Sequence, residues 1–387
     1  MKLTIQLQLL PTPSQAELLL ATMTRFNEAA SFAAEQGFTA GVFSQPSVHK
    51  LAYQEIRERF GLGAQLAVRA IGKAVECFSR DKTICPVFLP LGAVTYDQRN
   101  LAFKGLDKVS LATLSGREVI GMVYGEYQRE RFDRIKGQCD LVYRGGKFYL
   151  LTSVDLPEAS PMPVKDFIGV DLGIVNILAT HDEEPQTGKK IDRTRKRAAR
   201  ARTTYQRRNS RSARARLRKL SRRQSRFQKD TNHCLSKKLV AKALREGKGI
   251  GLEDLTGIRT RTEATVRHTQ RARHSNWSFS HLRLCIEYKA KLVGVPVVQI
   301  DPRNTSRTCS VCGHCEKANR KSQSEFLCKK CGHTDHAETN GAKNIRSAAL
   351  AAYVNSRDLV AVAIHNRPSY KPPTSVVGVD TLPSPSP

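Results

Sequence analysis

Two sets of residues in this chain have types and spacings that could do chemistry. The first is a pair of C-x-x-C motifs, Cys309 with Cys312 and Cys328 with Cys331, separated by fifteen residues. A two-residue spacer lets each pair turn back on itself, and four thiolates fill the closed tetrahedral shell that Zn2+ prefers. Such a site has no open position and is structural; an iron–sulfur cluster is the alternative that four thiolates allow. Cys315, His314 and His333 lie beside these knuckles and read as ordinary neighbours. The second set is acidic. Asp171 closes the apolar run "FIGV", Glu253 closes "GIGL", and Asp335 and Glu338 follow the last cysteine three residues apart. An acid at the end of a buried strand is costly unless it is paired or holds a cation. Carboxylates gathered from separate strands repel one another unless divalent ions lie between them. Two Mg2+ or Mn2+ ions about 4 Å apart would clamp an in-line phosphoryl transfer.

The charge balance says what such a site would act on. With 64 Lys and Arg against 35 Asp and Glu in 387 residues, the net charge is +29. A field of that sign gathers polyanions, nucleic acid first among them. Residues 189–229 concentrate it, with nineteen basic residues and one acid, Asp192. They hold too little apolar surface for a core, and even as a solvated face they would bind RNA or DNA by its phosphates. An anionic membrane would need an anchor, but no 18-residue apolar run or signal-peptide pattern occurs. The expectation is a soluble cytoplasmic protein associated with nucleic acid and not with membrane. Ten cysteines in such a chain favour metal over disulfides.

These residues need elements to position them. "MKLTIQLQLL" alternates as a strand, and "PTPSQ" turns it into a helical stretch running to about residue 80, with breaks at 37–46 and 61–63. From about 84 to 156 short β-runs follow one another, the last folded at "RGGK" into a hairpin. "PEASPMPVK" (157–165) reads as a linker. Beyond it the pattern is a strand ending at Asp171, the basic run, a helix, a strand at 249–255, a polar basic loop at 257–275, an amphipathic helix at 277–294 and a buried strand at 295–301. After the cysteines comes a short helix from about 340 to 353. The proline-rich end reads as disordered. Trp277 reads as core, and Arg303, Arg307 and the arginines of 259–273 as solvent-facing or DNA-holding. His233 and His281 read as packing or surface residues with no role.

"GVDLG", "GLEDL", "NTSRTCSVCG…CKKCG" and "NGAKNI", in that order, resemble the OrfB/TnpB family of insertion-sequence proteins, compact RNA-guided relatives of the type V CRISPR effectors. "NWSFSHLRLCIEYKAKLVGVPV" between them fits as well, and the likeness covers most of 166–352. The N-terminal half matches only in layout. The resemblance implies an α/β multidomain protein: an RNase H-like RuvC nuclease domain with an inserted zinc ribbon, preceded by a β-barrel wedge domain interrupted by a helical recognition lobe. The implied boundaries are 1–13 for the first wedge strand, 14–83 for the helical lobe and 84–160 for the rest of the wedge. The RuvC-like domain then occupies 161–305 with a basic helical insertion at 189–245, the ribbon 306–333, the last RuvC motif and helix 334–355, and a disordered tail 356–387. The implied activity is RNA-guided, Mg2+-dependent DNA cleavage, with a transposon-encoded guide RNA, a double-stranded target carrying a short flanking motif, and a monomer as the expected form. Asp171 and Glu253 carry over as the first two catalytic acids.

The third acid departs from the family pattern, which has Asp two residues before Asn340. Here that position is Glu338, longer by one methylene. Phosphoryl transfer is sensitive to displacements of about an ångström. Glu338 is the expected third ligand; Asp335 taking over or sharing, and a site that has lapsed, stay open. Two rival functions follow: a guided DNA-binding repressor that no longer cuts, and a protein-only transposase or resolvase-like nuclease that needs no RNA.

Overall fold

The computed structural model describes residues 1–173, 176–182, 186–187, 189–255, 279–322 and 324–365. The end of the chain after 365, Trp277 and the arginines of 259–273 lie outside the described residues. The chain divides into two units, Met1–Pro157 and Glu158–Pro387.

The first unit is built on one antiparallel sheet. Strand β1 (Lys2–Leu10) buries Ile5, Leu7 and Leu9, the period of two its alternation predicts. It lies between β7 (Lys147–Asp155) and β5 (Gly116–Val123). With β2 (Val94–Tyr96), β3 (Leu101–Lys104), β4 (Lys108–Thr113) and β6 (Ile135–Arg144), the order is β2-β6-β7-β1-β5-β4-β3. The edge strands β2 and β3 are consecutive in the chain and joined by residues 97–100 alone, so the sheet must curl until its edges meet. Tyr96 on β2 donates its hydroxyl to the Ala112 carbonyl of β4, 2.9 Å away across that gap. Three helices interrupt the sheet between β1 and β2. Helix α1 (Pro13–Thr39) is opened by a Thr12–Gln15 capping box, α2 (Gln45–Phe60) is capped by Ser44 and ends at left-handed Gly61, and α3 spans Ala64–Phe78. A single turn of helix, α4 (Glu126–Arg129), precedes β6.

In the second unit, β8 (Phe167–Asp171) pairs antiparallel with β9 (Asn176–Thr180) and parallel with β11 (Gly249–Glu253). Strand β11 in turn pairs parallel with β12 (Val297–Ile300), and β10 (Gln186–Thr187) extends β9. The basic run forms two helices, α5 (Lys189–Arg208) and α6 (Arg211–Glu246), broken at Asn209, which is left-handed. Helix α6 runs unbroken from the arginines into the apolar stretch that had read as a separate helix. Leu239, Val240 and Ala243 of α6, with Leu282, Ile286 and Ala290 of α7 (Phe279–Val293), cover one face of the sheet through Ile168, Val170, Ile250 and Leu252. Helix α8 (Ala337–His365) covers the other face. It continues ten residues past 355, where a disordered tail was expected, because "SRDLVAVAIH" holds no Gly or Pro to stop it.

The contact of α8 with the sheet is unusually close. Gly169 and Gly251 face each other in the β8–β11 register. A Cβ on Gly169 would overlap the Ala342 carbonyl oxygen and lie 2.6 Å from the Arg346 amide nitrogen; on Gly251 it would lie 2.7 Å from Ala349 Cβ. The helix backbone therefore lies directly on two bare stretches of strand. We expect Gly169→Ala to cost at least about 3 kcal/mol, because backbone must move, and Gly251→Ala about 1–3 kcal/mol. Urea denaturation midpoints of the full chain read both; two near-neutral results would contradict this packing.

Candidate metal-dependent site and its zinc-type ribbon

Strand parity brings the first two acids together. On β8, Ile168 and Val170 face α6 and α7, so Phe167, Gly169 and Asp171 face α8. On β11, Ile250 and Leu252 face α6 and α7, so Gly251 and Glu253 face α8. Leu252 is in register with Val170, which sets Glu253 beside Asp171 one step further along the two strands. Helix α8 brings the third. Glu338 sits in its first turn, four residues before Ala342, on the seam that meets the glycines, and is 3% exposed. A Cβ at Gly341 would stand 3.4 Å from Asp171 Oδ2, so this turn of the helix lies against the Asp171 carboxylate.

The crowding of acids shows most in the charge of Asp171. The Asp171 carboxyl is pushed up to about 7, first by burial and then by the negative charges of Glu253 and Glu338. Arg320 and the Leu172 backbone N–H oppose the shift. Glu253 is also raised by burial, against a hydrogen bond from Thr305 Oγ1 to its Oε1 at 2.6 Å and the charge of Arg320. A buried carboxylate whose proton affinity is raised by two neighbouring acids fits a hard divalent ion as ligand.

Asp335 does not join this group. It lies on β14 (Thr334–His336), paired across from Phe326 of β13 (Glu325–Leu327). Its Oδ2 accepts from Lys343 Nζ at 2.8 Å and faces His333 Nε2 at 3.7 Å.

The four cysteines converge from two matching turns. In each, the first cysteine's N–H donates to a carbonyl five residues on, Cys309 to His314 and Cys328 to His333, and a left-handed glycine, Gly313 or Gly332, donates back to that cysteine's carbonyl. Sγ of Cys309 lies 3.7 Å from that of Cys331, and Cys312 Sγ 3.5 Å from Cys328 Sγ, all four within 4.8 Å of one another. Such spacing fits one tetrahedral ion and its four thiolates. Cys315 is exposed outside the group, and His314 pairs with Glu316 at 3.1 Å.

The segment joining ribbon to helix is held by two asparagines. Asn340 accepts from Ser310 N–H at 3.0 Å and donates to the Thr308 carbonyl at 2.8 Å. Asn344 donates to the carbonyls of Thr305 and Thr308 at 2.8 and 2.7 Å. Residues 331–345 are thus the join between a metal-type knuckle and an acidic site. Sequence reading missed Thr305 and Arg320. Thr305 lies in a run of polar residues and Arg320 in a basic stretch, so neither stands out until the ribbon is folded back on the strands. Arg303 and Arg307 are exposed nearby.

Comparison with known proteins agrees with the motifs. A family model described as "Probable transposase" (OrfB_IS605) matches residues 151–256, and one described as "Cas12f1-like, TNB domain" matches 279–345. Both matches fall almost entirely within the second unit. The chain is 32% identical over 220 residues to a CRISPR-associated endodeoxyribonuclease Cas12f1 of Sulfoacidibacillus thermotolerans, covering 52% of this chain and 50% of that protein. It is 37% identical over 115 residues to a TnpB-like protein of Methanocaldococcus jannaschii, covering 30% and 40% respectively. The chain thus spans about half the length, or less, of these relatives. Its fold is that of a Cas12f1 solved with its sgRNA and target DNA: TM-score 0.62 at 15% identity, over 86% of this chain and 83% of that one. Among the described residues no helix is long and apolar enough to cross a membrane.

The raised Asp171 gives a pH signature. Its pKa is about 7 in the fold against an ordinary 3.8, so its charge weakens the metal-free protein as pH rises between those values. Relative to Asp171→Asn, the wild type should lose stability from about pH 4 to pH 7 and then level off. Mn2+ should close the gap at pH 8. Denaturant titrations of both proteins across pH, with and without Mn2+, test this; parallel profiles would contradict it.

Proposed function

We propose that this chain is a transposon-associated, RNA-guided DNA endonuclease whose second unit is an RNase H-like RuvC domain. The observation that carries the reading is the meeting of Asp171, Glu253 and Glu338, from two adjacent strand ends and a helix N-terminus, in one buried acidic cluster. Asp171, Glu253 and Glu338 would hold Mg2+ or Mn2+, which supplies Lewis-acid stabilisation to a phosphodiester under attack by water. Asp171 is the central ligand, flanked by the two glutamates. Thr305 fixes Glu253 by its hydroxyl, and Arg320 offers a guanidinium to the charge that builds on phosphate. Glu338 serves as the third acid, and Asp335 holds Lys343 instead. The cysteines carry a structural Zn2+ in a ribbon at 306–333, which keeps Thr305 and Arg320 at the site.

The remaining parts take the family's roles. The curled sheet of the first unit is the wedge barrel, and its inserted helices are the recognition lobe that reads a short motif flanking the double-stranded target. The basic helices α5 and α6 hold the backbone of a transposon-encoded guide RNA or of its heteroduplex with target, where base pairing supplies sequence specificity. A monomer is the proposed form. The named activities of the relatives support this reading.

The test is cleavage by protein co-expressed with its flanking DNA, so that any guide is made. With matched target and Mg2+, Asp171→Ala and Glu338→Ala should each lose more than about 100-fold in rate, while Asp335→Ala stays within about tenfold of wild type. A silent Asp335→Ala beside an active Glu338→Ala would move the third ligand to Asp335. Wild type that binds target and never cuts, even with Mn2+, would be a guided DNA-binding protein. Cleavage that survives RNase treatment would mark the protein-only nuclease.

A further inference from the structure

A second cluster of metal-type ligands lies on the far side of the sheet from α8, between α6 and α7. His233 comes from α6; His281 and Cys285, one helical turn apart, come from α7. Their ligand atoms lie within 4.8 Å of one another. Cys285 Sγ is 3.8 Å from Nδ1 of His233 and 3.8 Å from Nδ1 of His281, with His281 Nε2 at 4.0 Å. Around one zinc ion, a sulfur and a nitrogen ligand stand about 3.5 Å apart in tetrahedral geometry and about 3.8 Å apart in trigonal geometry. The observed sulfur–nitrogen spacings lie within about half an ångström of these values.

We propose that His233, His281 and Cys285 form a His2Cys site for a thiophilic transition ion, with Zn2+ the class member named as probe, which clamps α6 to α7. The surroundings favour it in two respects. The Asn232 amide nitrogen lies 3.0 Å from His281 Nδ1; turning the amide over would let its oxygen accept the Nδ1–H and leave Nε2 as the ligand. Cys285 is buried while His233 is exposed, which gives the ion an entrance and the thiol a dry seat. Lys289 opposes a dication: its Nζ lies 2.6 Å from both the His233 carbonyl and Ser236 Oγ. Ionisation of Cys285 on binding offsets that charge.

The position gives the clamp a purpose. His233 stands where α6 leaves the core. C-terminal to it, Leu239, Val240 and Ala243 pack on the sheet; N-terminal to it, the helix is the arginine-rich arm. A metal here would fix the root of that arm to α7.

The experiment is metal content by mass spectrometry on the full-length protein, equilibrated with buffered free Zn2+ and passed through a desalting column. Wild type should carry one equivalent more than Cys285→Ser and one more than His233→Asn, whatever the four-cysteine ribbon holds. His233 is exposed, so its variant keeps the core and stands in if Cys285→Ser fails to fold. Cys312→Ser should leave that difference unchanged. Equal zinc in wild type and both variants would overturn the proposal, as would a difference that disappears with Cys312→Ser.

Discussion

The site depends on a helix that crosses two strand positions with no side chain beneath it. Gly169 and Gly251, adjacent in register, bare the sheet over a width that α8 fills with its own backbone. That approach is what lets a residue in the first turn of α8 meet residues at two strand ends. A methyl group on Gly169 would meet the helix backbone itself and push α8, and with it Glu338, off the strands. The other face of the same strands shows the ordinary solution, with Ile168, Val170, Ile250 and Leu252 packed against two helices. The strands thus use alternate residues for two ends: branched side chains on one face to hold the sheet, glycine and acid on the other to make a site.

The ribbon extends this arrangement. The chain leaves the sheet after Ile300, turns through four cysteines and returns into α8. A loop of that length would wander, and two devices stop it. Four thiols within 4.8 Å offer one ion a closed shell, and Asn340 and Asn344 bind the loop's base through four hydrogen bonds. Because Thr305 and Arg320 lie on this loop and both act on the acids, the ribbon and the acidic site share one geometry. Loss of an ion from the cysteines would reach Glu253 through Thr305, with no contact between cysteine and acid.

How much of this was legible beforehand varied with range. Apolar alternation located β1, and the glycine breaks separated α1, α2 and α3, because those signals are local. Cysteine spacing marked the knuckles for the same reason. Asp171 and Glu253 could be picked out because an acid ending an apolar strand is costly. Strand β5 was not separated from its neighbours, since "GREVIGMV" alternates weakly. The pairing of Gly169 with Gly251 was not legible: each reads as a small residue in a strand, and only the register joins them. Spacing to Asn340 favoured Glu338 over Asp335, but what separates them in space is where a strand of the ribbon stops and a helix begins. His233, His281 and Cys285 were passed over since His281 and Cys285 lie 48 and 52 residues after His233 in sequence and meet it only when α6 packs on α7.

The longer third acid finds a matching change beside it. The OrfB/TnpB pattern that the chain resembles has Asp where Glu338 stands, and in "E-T-N-G-A" the longer acid is followed, three positions on, by a glycine. Gly341 is the residue whose absent Cβ faces Asp171 Oδ2 at 3.4 Å. Ordinary contact would have been allowed there, so the glycine is not forced by sterics. What it leaves is room for the Asp171 carboxylate, or for whatever Glu338 helps hold, to settle toward the helix. Glu338 keeps its place in the first turn of α8, where the helix dipole favours a negative charge.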